Sequence, residues 1–358
     1  MKCIRYTVYM FYFFLVIASV RPLSAGVVNP DISAIGQVFG TYTDDSLAES
    51  PLQPKKGCLS LGETELNLDA ALNPYFMGAF VLSIDNEGGV EVEEAYASMI
   101  RGLPWNIALK AGKYRLNFGK LNQAHPHAYP FLRTPRVLSP DIAKLIPGDE
   151  SFNDVAAEAS TLISVAGSWA IIPSVDFLEG NSFHSEDQGI SHAWLAHVSN
   201  SFMLGTAECD VGVSATQGVN NISTNTKTAV LGLDAKAKIP GTAIYSMTIG
   251  SEYIYKLSDE IDTEGTKYHD NRYGFYAYID NRFYTRYNAG VLYEQYQNPD
   301  DRSGVDRAIK PFVGFAVLEE STLLRASYEY FMSGNSQKTN TVELQLLFSM
   351  GPHKAHQF

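Results

Sequence analysis

The chain has 358 residues, of which 45% are hydrophobic, 18% charged and 12% aromatic, and its formal net charge is −12. So low a charged fraction and so acidic a balance exclude a disordered chain and a nucleic-acid partner. A mean hydropathy of −0.10 excludes a bundle of many membrane-crossing helices.

The first residues read as a targeting segment. Lys2 and Arg5 give a basic start, residues 8–20 run VYMFYFFLVIASV, and Leu23-Ser24-Ala25 or Ser24-Ala25-Gly26 supplies small residues before a cleavage point. This three-part pattern predicts a secretory signal peptide over 1–25 and one mature domain over 26–358. Losing Lys2, Arg5 and Arg21 takes the net charge from −12 to −15. Cys3 leaves with the signal, and Cys58 and Cys209 read as unpaired thiols. No CxxC or Cys/His zinc spacing is present.

After residue 26 no apolar run reaches the roughly 18 residues of a transmembrane helix, and the dominant period is two. Strands are expected over 32–42, 58–73, 75–85, 89–101 and 105–118, then over 155–169, 173–181, 191–200, 204–217, 227–239, 243–257, 271–283, 285–297, 307–318, 321–333 and 340–350. Leu66, Leu68, Ala70 and Leu72 oppose Glu65, Asn67 and Asp69. Tyr273, Phe275, Ala277 and Ile279 oppose Arg272, Tyr276 and Asp280. Val342, Leu344, Leu346, Phe348 and Met350 oppose Glu343, Gln345 and Ser349. The breaks hold Asn-Pro, Gly-Gly, Pro-Gly and Asn-Pro-Asp-Asp, all turn chemistry.

Sixteen strands, mostly of 10–14 residues, are long for a soluble sheet and near the length of a tilted membrane crossing. The alternation fits a soluble sandwich with an apolar core. It also fits the inverse, with apolar faces toward lipid and polar faces lining water. Aromatic residues near strand ends (Tyr75, Phe76, Phe283, Tyr284, Tyr296 and Phe331), short turns alternating with long connections, and charged polar faces favour the inverse. The expected fold is therefore all-β, a transmembrane antiparallel barrel of about sixteen strands around a water-filled lumen.

Residues 107–147 stand apart in charge. They carry Lys110, Lys113, Arg115, Lys120, Arg133, Arg136 and Lys144 against Asp141 alone, and follow an acidic strand with Glu87, Glu91, Glu93 and Glu94. The connection 120–153 is the longest in the chain. Its prolines and apolar residues predict packed irregular structure, and loops of this length are commonly functional. His125 and His127 form an HPH element within it, a weak candidate metal pair, because Pro126 makes a shared ion awkward and no carboxylate or cysteine lies at ligand spacing. No catalytic residue and no cofactor is expected.

Asn29–Gly36 (NPDISAIG), Glu65–Phe76 (ELNLDAALNPYF), Val90–Ala97 (VEVEEAYA), Leu109–Phe131 (LKAGKYRLNFGKLNQAHPHAYPF) and Leu344–Phe358 (LQLLFSMGPHKAHQF) resemble a family of Gram-negative outer-membrane porin-like proteins. LKAGKYRLNFGK also resembles a strand of phosphate-selective porins. The resemblance spans most of the mature chain, least distinctly over 160–270, and names no substrate. It implies a passive channel for small hydrophilic or ionic solutes in the outer membrane, in contact with lipid and lipopolysaccharide, and assembled as a homotrimer. The barrel-insertion machinery would recognise Phe348 or Phe358.

In general porins the loop after the fifth strand folds into the lumen and narrows it. Loop 120–153 is expected there, with Lys110, Lys113, Arg115, Lys120, Arg133 and Arg136 facing Glu91 and Glu93 across the constriction. The bland alternative is that these charges pair across adjacent strands. Two other functions stay open: a barrel-embedded hydrolase, for which no GxSxG or compact Ser/His/Asp pattern is seen, and a metal-ion-related uptake protein.

Overall fold

The computed structural model describes residues 30–44, 57–84, 89–184, 189–242, 244–262, 264–299, 301, 303–318 and 321–351. The expected signal peptide, Glu87 and the tail residues His353, His356 and Phe358 lie outside the described residues.

Sixteen antiparallel strands close on themselves. They are β1 (Asp31–Thr43), β2 in two pieces (Cys58–Leu61 and Thr64–Ala71), β3 (Phe76–Ile84), β4 (Val90–Met99), β5 (Ile107–Arg115), β6 in two pieces (Asn153–Thr161 and Ile163–Ala166), β7 (Trp169–Leu178) and β8 (Ala193–Leu204). The second half holds β9 (Ala207–Asn221), β10 (Thr226–Thr242), β11 (Tyr245–Ile261), β12 (Lys267–Phe283), β13 (Tyr287–Gln297), β14 (Val305–Leu318), β15 (Thr322–Met332) and β16 (Lys338–Met350). Each strand pairs with the next, and β16 pairs with β1 from Ala34↔Met350 to Thr43↔Thr341. Among the described residues the closed ring leaves no sheet edge unpaired.

Because strand side chains alternate with period two, each strand has an outer and an inner row. Leu231 and Leu233 point outward on β10 while Asp234 is buried inside. Val342, Leu344, Leu346, Phe348 and Met350 are all exposed on β16. The inversion expected from the sequence holds: the apolar faces are outside. Tyr75, Phe76, Trp105, Trp169, Phe283, Tyr284 and Tyr287 gather at the end of the barrel with short turns, exposed. That is an aromatic girdle. Tyr296 and Phe331 do not belong to it. Tyr296 is buried inside, and Phe331 packs under the Arg136 guanidinium. Their strand-end position was legible, but which row they occupy follows from register. Cys58 and Cys209 are free thiols.

Of the β-bulges that interrupt the alternation, two lie beside the inserted loop's acidic partners. Between Val38↔Leu61 and Ile35↔Glu65, β2 spends one residue more than β1. Between Val81↔Glu94 and Leu82↔Val92, β4 spends one more than β3. A bulge re-aims the side chains that follow it. The first separates outward Leu59 and Leu61 from inward Glu65. The second leaves Glu93 and Glu94, neighbours in sequence, both buried on the inside.

Candidate functional site

The connection between β5 and β6, residues 116–152, lies inside the barrel. Leu116, Phe118, Leu121, Tyr129, Phe131, Leu132, Val137, Leu138, Leu145, Ile146 and Phe152 are buried in one apolar cluster with inward wall residues such as Ile254, Tyr276, Tyr278, Leu292 and Phe312. Phe131 meets Tyr278 and Phe312 edge-on at 5.4 and 5.9 Å. Phe152 meets Phe118 and Phe183 in the same way. A loop held inside must find partners for its peptide groups. Asn122 supplies them at the neck, donating to the Leu116 and Phe152 carbonyls at 2.8 and 2.9 Å and accepting from Phe152 N–H at 2.9 Å.

The wall supplies the rest. Glu252 on β11 accepts from Lys120 and Leu121 N–H at 2.7 and 2.9 Å. Arg325 on β15, itself buried, donates to the Phe131 and His127 carbonyls at 3.1 Å each. Asn288 on β13 reaches the Pro130 carbonyl at 3.0 Å. Arg136 gives its N–H to Glu294 and its guanidinium to Glu329, while Lys310 bridges those same two carboxylates at 2.6 and 2.7 Å. Arg133 pairs with Glu343 at 2.9 Å. The loop is thus fastened around much of the barrel.

Beside the loop remains a cavity of about 740 Å³. One wall is strands β2–β6, with Asp69, Glu94, Tyr96, Lys110 and Glu158. The opposite wall is β9–β12, with Asp210, Lys236, Glu252, Asp280 and Arg282. The loop side carries Arg115, Lys120, Gln123 and His125. The cavity therefore spans the lumen between two charged walls.

The eight charged residues singled out from sequence divide into three groups. Lys110, Arg115 and Lys120 line the cavity. Lys110 is in register with Glu158, its ammonium 4.0 and 3.9 Å from the ring centres of Tyr96 and Tyr114. Lys120 lies 3.1 Å from Ser199 Oγ and 3.9 Å from Asp210. Lys113 is in register with outward Val155 and pairs at 2.9 Å with the largely exposed Glu91, away from the cavity. Arg115 is ion-paired with Glu93. For Lys113–Glu91 and Arg115–Glu93 the cross-strand alternative describes the geometry, and among the described residues no row of basic residues faces Glu91 and Glu93 across the lumen. Arg133 and Arg136 anchor the loop. Asp69, Glu158, Lys236 and Arg282 were missed, because a single charge on a polar row carries no sign in sequence of what it faces.

The HPH element behaves differently from expectation. A 3₁₀ turn over Pro126–Ala128 brings the His125 and His127 rings into a stack, with centroids 5.6 Å apart. Both rings face the bulged strands. His127 Nδ1 is 2.9 Å from Glu65 Oε1, and His125 Nε2 is 3.1 Å from Glu94 Oε1. His125 Nδ1 is 3.2 Å from Glu65 Oε2 and 3.4 Å from Glu93 Oε2. Burial disfavours charge on His125, but the surrounding carboxylates outweigh it and raise its pKa well above the ordinary value. Pro126 thus sets the pair rather than splitting it, and the carboxylates absent from the local sequence arrive from β2 and β4.

His197 sits buried mid-strand on β8, with Nδ1 2.8 Å from Ser214 Oγ. That hydroxyl also accepts the Gly119 N–H at 3.1 Å and is sealed beneath the loop. A buried, already engaged hydroxyl gives no accessible nucleophile.

No family model matches the chain. A protein of Aquifex aeolicus (strain VF5) described as uncharacterized is 26% identical over 354 residues, covering 86% of this chain and 71% of that one. Among solved structures, an anion-selective porin from Comamonas acidovorans superimposes with a TM-score of 0.63 at 9% identity, covering 90% of this chain and all of that one. The fold is that of the outer-membrane porins. The outer membrane channel DcaP of Acinetobacter baumannii gives 0.59 at 11% identity, over 90% of this chain and 97% of that one. OmpT of Vibrio cholerae, in its trimer form, gives 0.59 at 11% identity, over 91% and 100%.

Proposed function

We propose that the protein is an outer-membrane channel for passive diffusion of small hydrophilic or ionic solutes. The carrying observation is the charged cavity of about 740 Å³ between the inserted loop and two opposing walls, inside a closed barrel with an apolar exterior. An exterior of this kind stabilises the barrel only in lipid, and a polar, fixed-charge interior suits hydrated solutes. On this reading the signal peptide over 1–25 directs export, and the short-turn end faces the periplasm. Lipid and lipopolysaccharide contact the outer row. The outward Phe348 on β16 offers the insertion machinery its aromatic residue. Assembly as a homotrimer follows the form recorded for the Vibrio cholerae protein.

Lys110 and Arg115 on one side, with Lys120, Lys236 and Arg282 on the other, set the local field against Asp69, Glu94, Glu158, Asp210 and Asp280. Charge this close governs selectivity ahead of the net −15, because screening at physiological salt acts within about 8 Å. The test is current across a planar bilayer: stepwise conductance with a nonzero reversal potential in a salt gradient is expected. An electrically silent protein with protease or lipase activity would reverse the reading in favour of the hydrolase.

A further inference from the structure

We propose that His125, Glu65 and Glu93 form a binding site for one divalent first-row transition ion of the zinc type, which fastens the inserted loop to β2 and β4. This goes beyond the channel reading. It concerns a buried structural centre and stands or falls on metal content, whether or not the barrel conducts.

The first observation is a set of orphaned atoms. Glu65 Oε2, Glu93 Oε2, His125 Nδ1 and Glu63 Oε1 are buried and make no hydrogen bond, and the Glu65 side chain is only 1% exposed. His125 Nδ1 faces Glu65 Oε2 and Glu93 Oε2, and an ion in place of the Nδ1 proton would meet the same two oxygens. The second is spacing. His125 Nδ1 lies 3.2 and 3.4 Å from Glu65 Oε2 and Glu93 Oε2. A tetrahedral ion with bonds of about 2.0–2.1 Å puts its ligands roughly 3.3 Å apart. Ligand atoms from Glu63, Glu65 and Glu93 also lie within 4.8 Å of one another.

The third is the outer support. His125 Nε2 faces Glu94 Oε1 at 3.1 Å, so an ion that takes the place of the Nδ1 proton leaves the Nε2–H on Glu94 and meets the Nδ1 lone pair. A metal-bound histidine ordinarily gives its other N–H to a carboxylate in this way. His127 holds the second oxygen of Glu65, and Arg115 holds the second oxygen of Glu93. Each principal ligand is therefore oriented by a partner of its own. The fourth is charge. Glu65, Glu93 and Glu94 face Arg115 and His125, and a divalent ion in place of the His125 Nδ1 proton adds positive charge beside them. An imidazole among carboxylates selects a transition ion over calcium or magnesium.

The test uses the full untagged chain purified in detergent, chelated, reloaded with Zn²⁺ and gel-filtered. Elemental analysis is expected to find close to one zinc per folded chain. X-ray absorption is expected to show imidazole plus oxygen ligands at about 2.0–2.1 Å. Glu65→Gln and His125→Gln are each expected to weaken binding at least tenfold, with His353→Asn/His356→Asn unchanged. Heat-modifiable gel mobility reports whether each variant folds. If the variants fail to fold, the wild-type zinc content and first shell decide. Zinc below about a tenth per folded chain, a first shell without imidazole, or undiminished binding by both folded variants would overturn the proposal.

Discussion

Asn122 and Phe152 grip each other at the neck of the inserted loop: the Phe152 N–H donates to Asn122 Oδ1, and the Asn122 amide donates back to the Phe152 carbonyl, each at 2.9 Å. The same amide reaches the Leu116 carbonyl at 2.8 Å, so one buried side chain closes the loop on both ends. Asn122→Ala is expected to leave buried peptide groups without partners and cost about 2–3 kcal/mol. A lowered thermal midpoint in detergent and a noisier open channel are the readouts.

Arg325→Met keeps the length of the side chain and removes both donors to the His127 and Phe131 carbonyls. Hydrogen bonds from a charged group contribute about 1.5–3 kcal/mol each. The segment between those carbonyls is expected to loosen. Protease accessibility of the loop and a broadened distribution of single-channel conductance check this, with unchanged values in both counting against the anchorage.

Lys110 and Lys113 are three residues apart and belong to opposite rows. Lys110→Glu is expected to move the reversal potential toward cations, with a permeability ratio changed at least about twofold. A unit charge at about 4 Å contributes about 1 kcal/mol even at the dielectric of water. Lys113→Glu, at the rim beside Glu91, is expected to change it little, since screening intervenes. Salt-gradient recordings on the two variants separate the rows.

Trp105, Trp169 and Trp194, the three tryptophans of the chain, are all exposed on the outside. In liposomes of brominated lipid their fluorescence is expected to be strongly quenched, while aqueous acrylamide quenches little. The reverse pattern would place the outer row in water.

Gly112 on β5 has φ of +134°, and a Cβ there would collide with the Ala95 carbonyl oxygen. Gly112→Ala is expected to cost about 1–3 kcal/mol through strain and displaced pairing with β4. Heat-modifiable mobility at graded temperature measures it.

The period-two rows exposed most of the barrel in the sequence, because lipid and water impose opposite demands on alternate residues over sixteen strands. Site placement was less legible for a physical reason. The loop's partners come from far along the chain: Glu65 to His127, Glu252 to Lys120, Arg325 to Phe131. Nothing local in HPH signals four glutamates on two other strands. A bulge adds one residue and flips a row, so Glu93 and Glu94 both turn inward where simple alternation sends one out. Tyr296 and Phe331 were misplaced by the same kind of uncertainty, and Arg133 and Arg136 read as free pore charges because their glutamates lie on β13, β15 and β16.

The loop's anchors on β11, β13, β15 and β16 have a consequence for the order of assembly. The loop is synthesised before every one of those strands, so it waits without its seat while the second half of the chain is still being made. The β1–β16 seam cannot form until that half is in place. The chain must therefore wrap its last strands around a segment already sitting where the interior will be, or admit that segment afterwards through the open mouth. In either sequence of events, seating the loop and sealing the wall belong to the same late step. A variant that loosens the loop is then expected to slow completion of the barrel as well as alter the finished one.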